Sequence, residues 1–254
     1  MQQFNILEGA EEFALGEGRT GALLVHGFTG SPQSMRPLGE YLGDHGVSVV
    51  GLRLPGHGTT WQDLNTRRSE EWVETVEAEV TKMEQTHDDI FIVGLSFGVA
   101  LMMEFAARNP GRAAGLVSLA GFLYTPDPRA RLVPIMCRVL KSMPGVANDI
   151  CDPDSKELAY DRFPLRAADA MFRFCNKARA DLSKVVDPVL VIHSPNDHTA
   201  VKANATMIID NVSSTDKELV WAERSYHVIT LDYDRDMVYE RTLKFIKERA
   251  KSAV

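Results

Sequence analysis

The stretch Ile90-Phe91-Ile92-Val93-Gly94-Leu95-Ser96-Phe97-Gly98, running on into the helix-forming segment Val99 to Arg108, is the most informative in this chain. A β-branched apolar run that ends in Gly-x-Ser-x-Gly and passes directly into a helical pattern is a strand, a tight turn and a helix. A serine at the tip of such a turn sits in a strained backbone conformation, so the residues two positions away on either side must be small. Gly94 and Gly98 meet that need. The same geometry puts Ser96 at a helix N-terminus, where unpaired N–H groups and the dipole favour developing negative charge. Ser96 is therefore the candidate nucleophile. The five-residue pattern alone arises by chance, and the strand and helix around it are what make it specific.

On either side of this segment, further β-rich runs recur at Ala22 to His26, Val47 to Leu52, Asp89 to Val93, Ala114 to Leu119, Pro188 to His193 and Leu219 to Ala222, with helical patterns between them. This alternation predicts an α/β fold with a mostly parallel central sheet and helices on both faces. The runs ALLV, IFIV and VLVI are almost uninterrupted, as expected of strands covered on both sides. Trp72, Val76, Val80 and Met83 follow Ser69 and the acidic pair Glu70 and Glu71 at helical spacing, and Tyr239, Leu243 and Ile246 repeat the period near the end of the chain. Residues from about Phe122 to Ser183 break the rhythm with Pro, Arg, Met and Phe in helical rather than strand patterns. The expected organisation is a core of residues 1–121 and 184–254, with residues 122–183 as a small helical cap inserted in it.

Three other segments fall at the carboxyl ends of predicted strands, where ligands collect on such sheets. His26-Gly27-Phe28-Thr29-Gly30 is a glycine-containing turn that can aim a backbone N–H at an oxyanion, so the N–H groups of Phe28 and Phe97 are the candidate donors. Asp197, in Ser194-Pro195-Asn196-Asp197, can orient a histidine and stabilise its imidazolium; the bland alternative is a helix cap. His227, after the last strand, completes the chain order Ser, Asp, His and has the pKa range of a general base. His26 precedes the serine in the chain, and His198 adjoins the acid on the same loop, so neither suits the role. His57, in Pro55-Gly56-His57-Gly58, is expected to shape the pocket.

Composition narrows the alternatives. The 254 residues are 44% hydrophobic and 25% charged, ordinary for a globular chain. A formal charge of -7 opposes binding of nucleic acid, which needs clustered Lys and Arg. No stretch approaches a bilayer span and the first residues lack a signal-peptide pattern, so the expected location is cytoplasmic. Cys137, Cys151 and Cys175 form no C-x-x-C pair, and the seven histidines make no metal-binding spacing. No metal site is expected.

Leu24 to Arg36 (LVHGFTGSPQSMR), Pro55-Gly56-His57-Gly58, Gly94 to Gly98, Pro195-Asn196-Asp197 and His227 to Asp232 (HVITLD) together resemble the small bacterial carboxylesterases and monoacylglycerol lipases. The resemblance covers nearly the whole chain outside the cap. It implies an α/β-hydrolase fold, a triad of Ser96, Asp197 and His227, an oxyanion hole at Phe28 and Phe97, no cofactor, and a small-molecule ester as the substrate. One departure is the elbow's continuation Phe97-Gly98-Val99, where the family usually has Met or Leu and then a second glycine; this bears on pocket shape, not on the catalytic amide. Acyl transfer or perhydrolysis by the same triad, a non-catalytic binding role, and peptide hydrolysis stay open from sequence, as does the oligomeric state. In the cap, Leu132, Val133, Ile135, Met136, Val139, Leu140 and Met143 gather at helical spacing. They either pack one side of a helix on the core or, as Leu132, Ile135, Met136, Val139 and Leu140, wall an acyl-chain site above Ser96. So small a cap predicts monoesters over triacylglycerols.

Overall fold

A computed structural model describes residues 4–145 and 148–252. In chain order the strands are β1 (Phe13–Leu15), β2 (Thr20–Val25), β3 (Ser48–Leu52), β4 (Asp89–Leu95), β5 (Gly115–Leu119), β6 (Ser142–Pro144), β7 (Arg162–Pro164), β8 (Val189–His193) and β9 (Lys217–Trp221). The helices are α1 (Arg36–Asp44), α2 (Trp61–Leu64), α3 (Ser69–Met83), α4 (Phe97–Arg108), α5 (Val133–Met136), α6 (Leu165–Ala180), α7 (Ala203–Asn211) and α8 (Arg235–Arg249). Seven strands form one sheet in the order β1-β3-β2-β4-β5-β8-β9. All its pairings are parallel except that of β1 with β3, a short antiparallel edge with no signal in the hydrophobic pattern.

The uninterrupted apolar runs have a direct cause, since successive side chains of a strand point to opposite faces. Leu23 and Val25 of β2, Ile90 and Ile92 of β4, and Val189 and Val191 of β8 join one core with Trp72, Val76 and Val80 of α3 and most of α4. Their neighbours Ala22, Leu24, Phe91, Val93, Leu190 and Ile192 join a second core with Leu38 and Leu42 of α1 and Val238, Leu243 and Ile246 of α8. Each central strand is thus an apolar partition between two helical layers.

This topology also fixes where chemistry can occur. From β2 the chain runs to β3 on one side, then crosses back through α3 to β4 on the other. The carboxyl ends of β2 and β4 therefore diverge at a topological switch point, the crevice in which ligands bind in open α/β sheets. The insertion between β5 and β8 departs from its helical patterning. It holds α5 and α6, but also β6 and β7 as an antiparallel pair, with Met143 opposite Phe163.

Candidate active site

Ser96 follows β4 directly and caps α4 with φ 54° and ψ −115°, a left-handed conformation uncommon for a side-chain-bearing residue. The surroundings over-determine it. Its N–H donates to the Leu119 oxygen (2.9 Å), and its own carbonyl accepts the N–H groups of Val99 and Phe122 (both 3.1 Å). A Cβ at Gly94 would stand 2.6 Å from the main chain at Gly98, and one at Gly98 would stand 2.2 Å from the Val25 oxygen. Both glycines are steric necessities, which is why the sequence pattern is informative.

The structure brings Ser96, Asp197 and His227 together. The Ser96 hydroxyl lies 2.9 Å from Nε2 of His227, and Nδ1 of His227 lies 2.7 Å from Oδ2 of Asp197. Oδ1 of Asp197 accepts the N–H groups of Thr199 (2.8 Å) and Ala200 (2.7 Å), so the carboxylate is held at both oxygens. A carboxylate can only accept, so Nδ1 of His227 carries the proton and Nε2 faces the serine hydroxyl as an acceptor. All three residues are buried.

Electrostatics follow from this packing. Burial alone would push the Asp197 carboxyl up, but the charge and hydrogen bond of His227, with the Ala200 N–H, outweigh it and hold the group below the ordinary carboxylate range. Burial alone would depress His227; Asp197, aided by Glu157 and Asp149, outweighs it and leaves the imidazole raised above its ordinary value. His193 is buried beside Asp197 but gives its Nε2 proton to the Ala200 oxygen (2.7 Å) and, chiefly through burial, is shifted down and stays neutral.

The other histidines are engaged elsewhere. His26 donates from Nδ1 to the Gly27 oxygen (2.9 Å), accepts the Leu54 N–H at Nε2 (3.2 Å), and is pushed down to about 4, chiefly by burial. It holds the turn after β2. His57 is wholly buried, edge-on to His26 and Trp72. His198 is exposed and pairs with Asp149, not with Asp197 or Ser96.

Phe28 lies in the turn after β2, and Phe97 opens α4. Neither amide N–H donates to another group among the described residues. A Cβ at Gly27 would be 3.1 Å from Cβ of Ser96, so the absence of a side chain there lets the Phe28 turn approach the serine. The Phe28 ring meets Trp72, Phe97 and Phe163 edge-on.

The five apolar cap residues are not brought together. Leu132, Ile135, Val139 and Leu140 are exposed, Val139 by 82%, and only Met136 is packed, in a cluster with Val133, Leu165 and Ala168 that also touches Phe28, Phe163 and Phe172. Pro134 accounts for part of the difference, since without an N–H it cannot continue a helix from the preceding turn, and α5 then ends at Met136, ahead of Val139 and Leu140. The segment is a 3₁₀ turn over Pro128–Leu132 followed by the single-turn α5, so the helical spacing never becomes a continuous helix face. Sequence reasoning missed Phe163 and Phe172 on the apolar side. It also missed Glu157, whose Oε1 lies 2.7 Å from the position of a Cβ on Gly30 and whose carboxyl is pushed up to about 7 by burial.

Known proteins resemble this chain over nearly its whole length. The family model for serine aminopeptidase, S33, matches residues 17–234. The thermostable monoacylglycerol lipase of Bacillus sp. (strain H-257) is 37% identical over 249 residues, covering 98% of this chain and 99% of that one. The carboxylesterase of Bacillus subtilis (strain 168) is 27% identical over 240 residues, 93% of this chain and 96% of the other. A solved structure reported with the metagenome-derived lipolytic enzymes LipS and LipT superposes with a TM-score of 0.93 at 36% identity, covering 96% of this chain and 100% of that one. The sheet and its two helical layers are those of the α/β-hydrolase fold.

Proposed function

We propose, given that this chain belongs to the serine aminopeptidase S33 family, that it hydrolyses carboxylic esters through an acyl-serine formed on Ser96. The observation that carries the reading is the unbroken line of hydrogen bonds from Asp197 through His227 to Ser96, 2.7 and 2.9 Å long. His227 takes the hydroxyl proton at Nε2 as the oxygen attacks the ester carbonyl carbon, and Asp197 stabilises the imidazolium. The N–H groups of Phe28 and Phe97 hold the oxyanion, each such donor contributing about 3 kcal/mol in comparable sites. His227 returns the proton to the departing alcohol. Water then attacks the acyl-serine with the same base and releases the acid.

The substrate we favour is a monoacylglycerol or a short to medium acyl ester, as the names of the two relatives suggest. Residues 122–183 serve as the cap. Val133, Met136, Phe163 and Phe172, packed with Phe28, offer the acyl chain an apolar wall in place of the exposed Leu132, Ile135, Val139 and Leu140. Glu157 supplies a polar group for the alcohol end, able to donate a hydrogen bond while protonated.

The test is a panel of p-nitrophenyl esters, mono- and triacylglycerols and an amino-acyl p-nitroanilide, run with Ser96→Ala beside the parent. Ser96→Ala should lose on the order of 10⁶ in kcat and all fluorophosphonate labelling. Activity within tenfold of the parent would remove the nucleophile assignment. Turnover of triesters equal to that of monoesters would remove the substrate class and leave a general esterase, and products diverted to added alcohol or peroxide would mark an acyltransferase or perhydrolase.

A further inference from the structure

The insertion meets the core through a stretch near residues 148–160 that is bonded to three loops of the candidate site, those after β2, β8 and β9. On the oxyanion side, the Tyr160 N–H donates to the Thr29 oxygen (3.0 Å) and the Ser31 hydroxyl to the Leu158 oxygen (3.0 Å). At the other end stands Asp149. Its main-chain oxygen accepts the N–H groups of His227 (2.9 Å) and Val228 (3.2 Å). Its carboxylate accepts the His198 N–H (3.1 Å) and the Thr199 hydroxyl (3.1 Å), and pairs with Nδ1 of His198 (2.8 Å). Thr199 in turn gives its own N–H to Asp197. Asp232, wholly buried, closes the same seam by accepting the N–H groups of Cys151 and Tyr226 at one oxygen, both at 2.8 Å.

Asp197 and His227 stand on loops after two different strands, β8 and β9, whose bases are tied where the Ser194 hydroxyl and the Asn196 amide donate to the Ser225 and Glu223 oxygens, ahead of both catalytic residues. Their hydrogen bond holds only while both loops keep register. We propose that Asp149 is the positioning residue that carries this register past the loop bases to Asp197 and His227 themselves, gripping the acid loop with its carboxylate and the histidine loop with its main chain. The insertion is then part of the catalytic frame and not only a cover. The grip is effective because the Asp149 side chain is only 10% exposed, so water competes weakly for these bonds. This role presupposes the triad of Ser96, Asp197 and His227.

Asp149→Ala, Asp149→Asn and His198→Ala in the full chain test it. The readouts are kcat and KM on p-nitrophenyl butyrate, thermal melting, and the NMR titration and low-field Nδ1 proton of His227 in histidine-labelled protein. Asp149→Ala is expected to lower kcat roughly 10- to 100-fold, the loss that comes from misplacing a reacting group by about 1 Å, with KM within about threefold. The His227 proton signal should weaken. Its titration should move to lower pH, since of the carboxyl groups facing it, Asp197, Glu157 and Asp149, one is gone while His193 is unchanged. Asp149→Asn keeps an acceptor for Thr199 and should fall between Ala and the parent, and it carries the test should the Ala variant not fold. His198→Ala should stay within about threefold, because its exposed ring adds little to the grip. A folded Asp149 variant with parental kcat and an unchanged His227 titration would overturn the proposal, as would a lowered melting point with full turnover by the folded fraction. Failure of the triad itself reads out separately, as an active His227→Ala.

Discussion

Gly98→Ala is a demanding test of the elbow, because the obstacle is main chain and cannot swing aside. The new Cβ would lie 2.2 Å from the Val25 oxygen and 2.9 Å from both the Val25 carbonyl carbon and the His26 oxygen. Reaching ordinary van der Waals separation requires the start of α4 to retreat from β2 by about 1 Å. Val25 is paired with Gly94 and continues into the Phe28 turn, so the retreat widens the gap between Ser96 and the Phe28 amide. A misplacement of about 1 Å costs on the order of 10² in rate, and overpacking of this kind costs roughly 1–3 kcal/mol of stability. For a chain of this size, that loss lowers Tm by about 2–4 °C per kcal/mol. The assay is kcat/KM for p-nitrophenyl butyrate and the rate of fluorophosphonate labelling, measured beside Tm. Gly111→Ala is the control, since its φ of 79° is strained for alanine but nothing lies within 4 Å of the added Cβ. It should lose about 1–2 kcal/mol and no activity. A Gly98→Ala enzyme with kcat/KM within threefold of the parent, or an equal rate loss in Gly111→Ala, would show that the close approach of α4 to β2 does not govern the geometry of Ser96.

Because the reaction needs neutral His227 and that group is raised above 6.5, kcat/KM should fall on acidification with a midpoint above 6.5; a flat profile from pH 5 to 8 with rate-limiting chemistry would contradict it. The stability linked to His227 has the opposite sense: it is fully present below the unfolded value and lost as pH rises through the raised folded one. That linked to depressed Asp197 is present above the unfolded value and lost as pH falls through the folded one, so against the parent the urea midpoint of Asp197→Asn should change below pH 3.8 and that of His227→Gln from pH 6.5 upward. Asp197→Asn should also favour the wrong histidine tautomer and lower kcat by on the order of 10⁴, and a loss below tenfold would argue against its role. Glu157, at about 7, is ionised at pH 8 against the penalty of its burial, so Glu157→Gln should raise Tm more at pH 8 than at pH 5; equal gains at both would show that the carboxyl is not held up by burial.

The sheet between two helical layers and the meeting of Ser96, Asp197 and His227 were legible because each signal is tied to a strand end. An uninterrupted run such as Val189 to His193 announces a strand buried on both faces, and the residues just after it fall at the carboxyl edge of the sheet. Ser96 was clearest, since a strained φ forces glycine at fixed positions. The cap was not legible in the same way. Periodicity grouped Leu132, Ile135, Met136, Val139 and Leu140, but Pro134 separates the turn over Pro128–Leu132 from α5, and α5 ends at Met136, so the five never share one helix face; Pro134 was the one local warning. Asp149 and Glu157 left no local trace: one acts partly through its main-chain oxygen, which any residue possesses, and the other is defined by a burial that only the folded chain creates.

The seam at Asp149 and Tyr160 divides the insertion into parts with different freedom to vary. Residues 125–140 are largely exposed and form the part of the proposed acyl wall that is free to change, whereas Ala167, Met171, Phe174, Cys175 and Ala178 of α6 belong to the core beside Phe97, and Asp149, Leu158 and Tyr160 are bonded to the core on both sides of the site. A chimaera cut at the outer borders of the insertion imports another protein's seam against this protein's loops, and should fold yet turn over slowly. One that exchanges residues 125–140 alone, keeping the seam and α6 native, should change chain-length preference at the parent's rate.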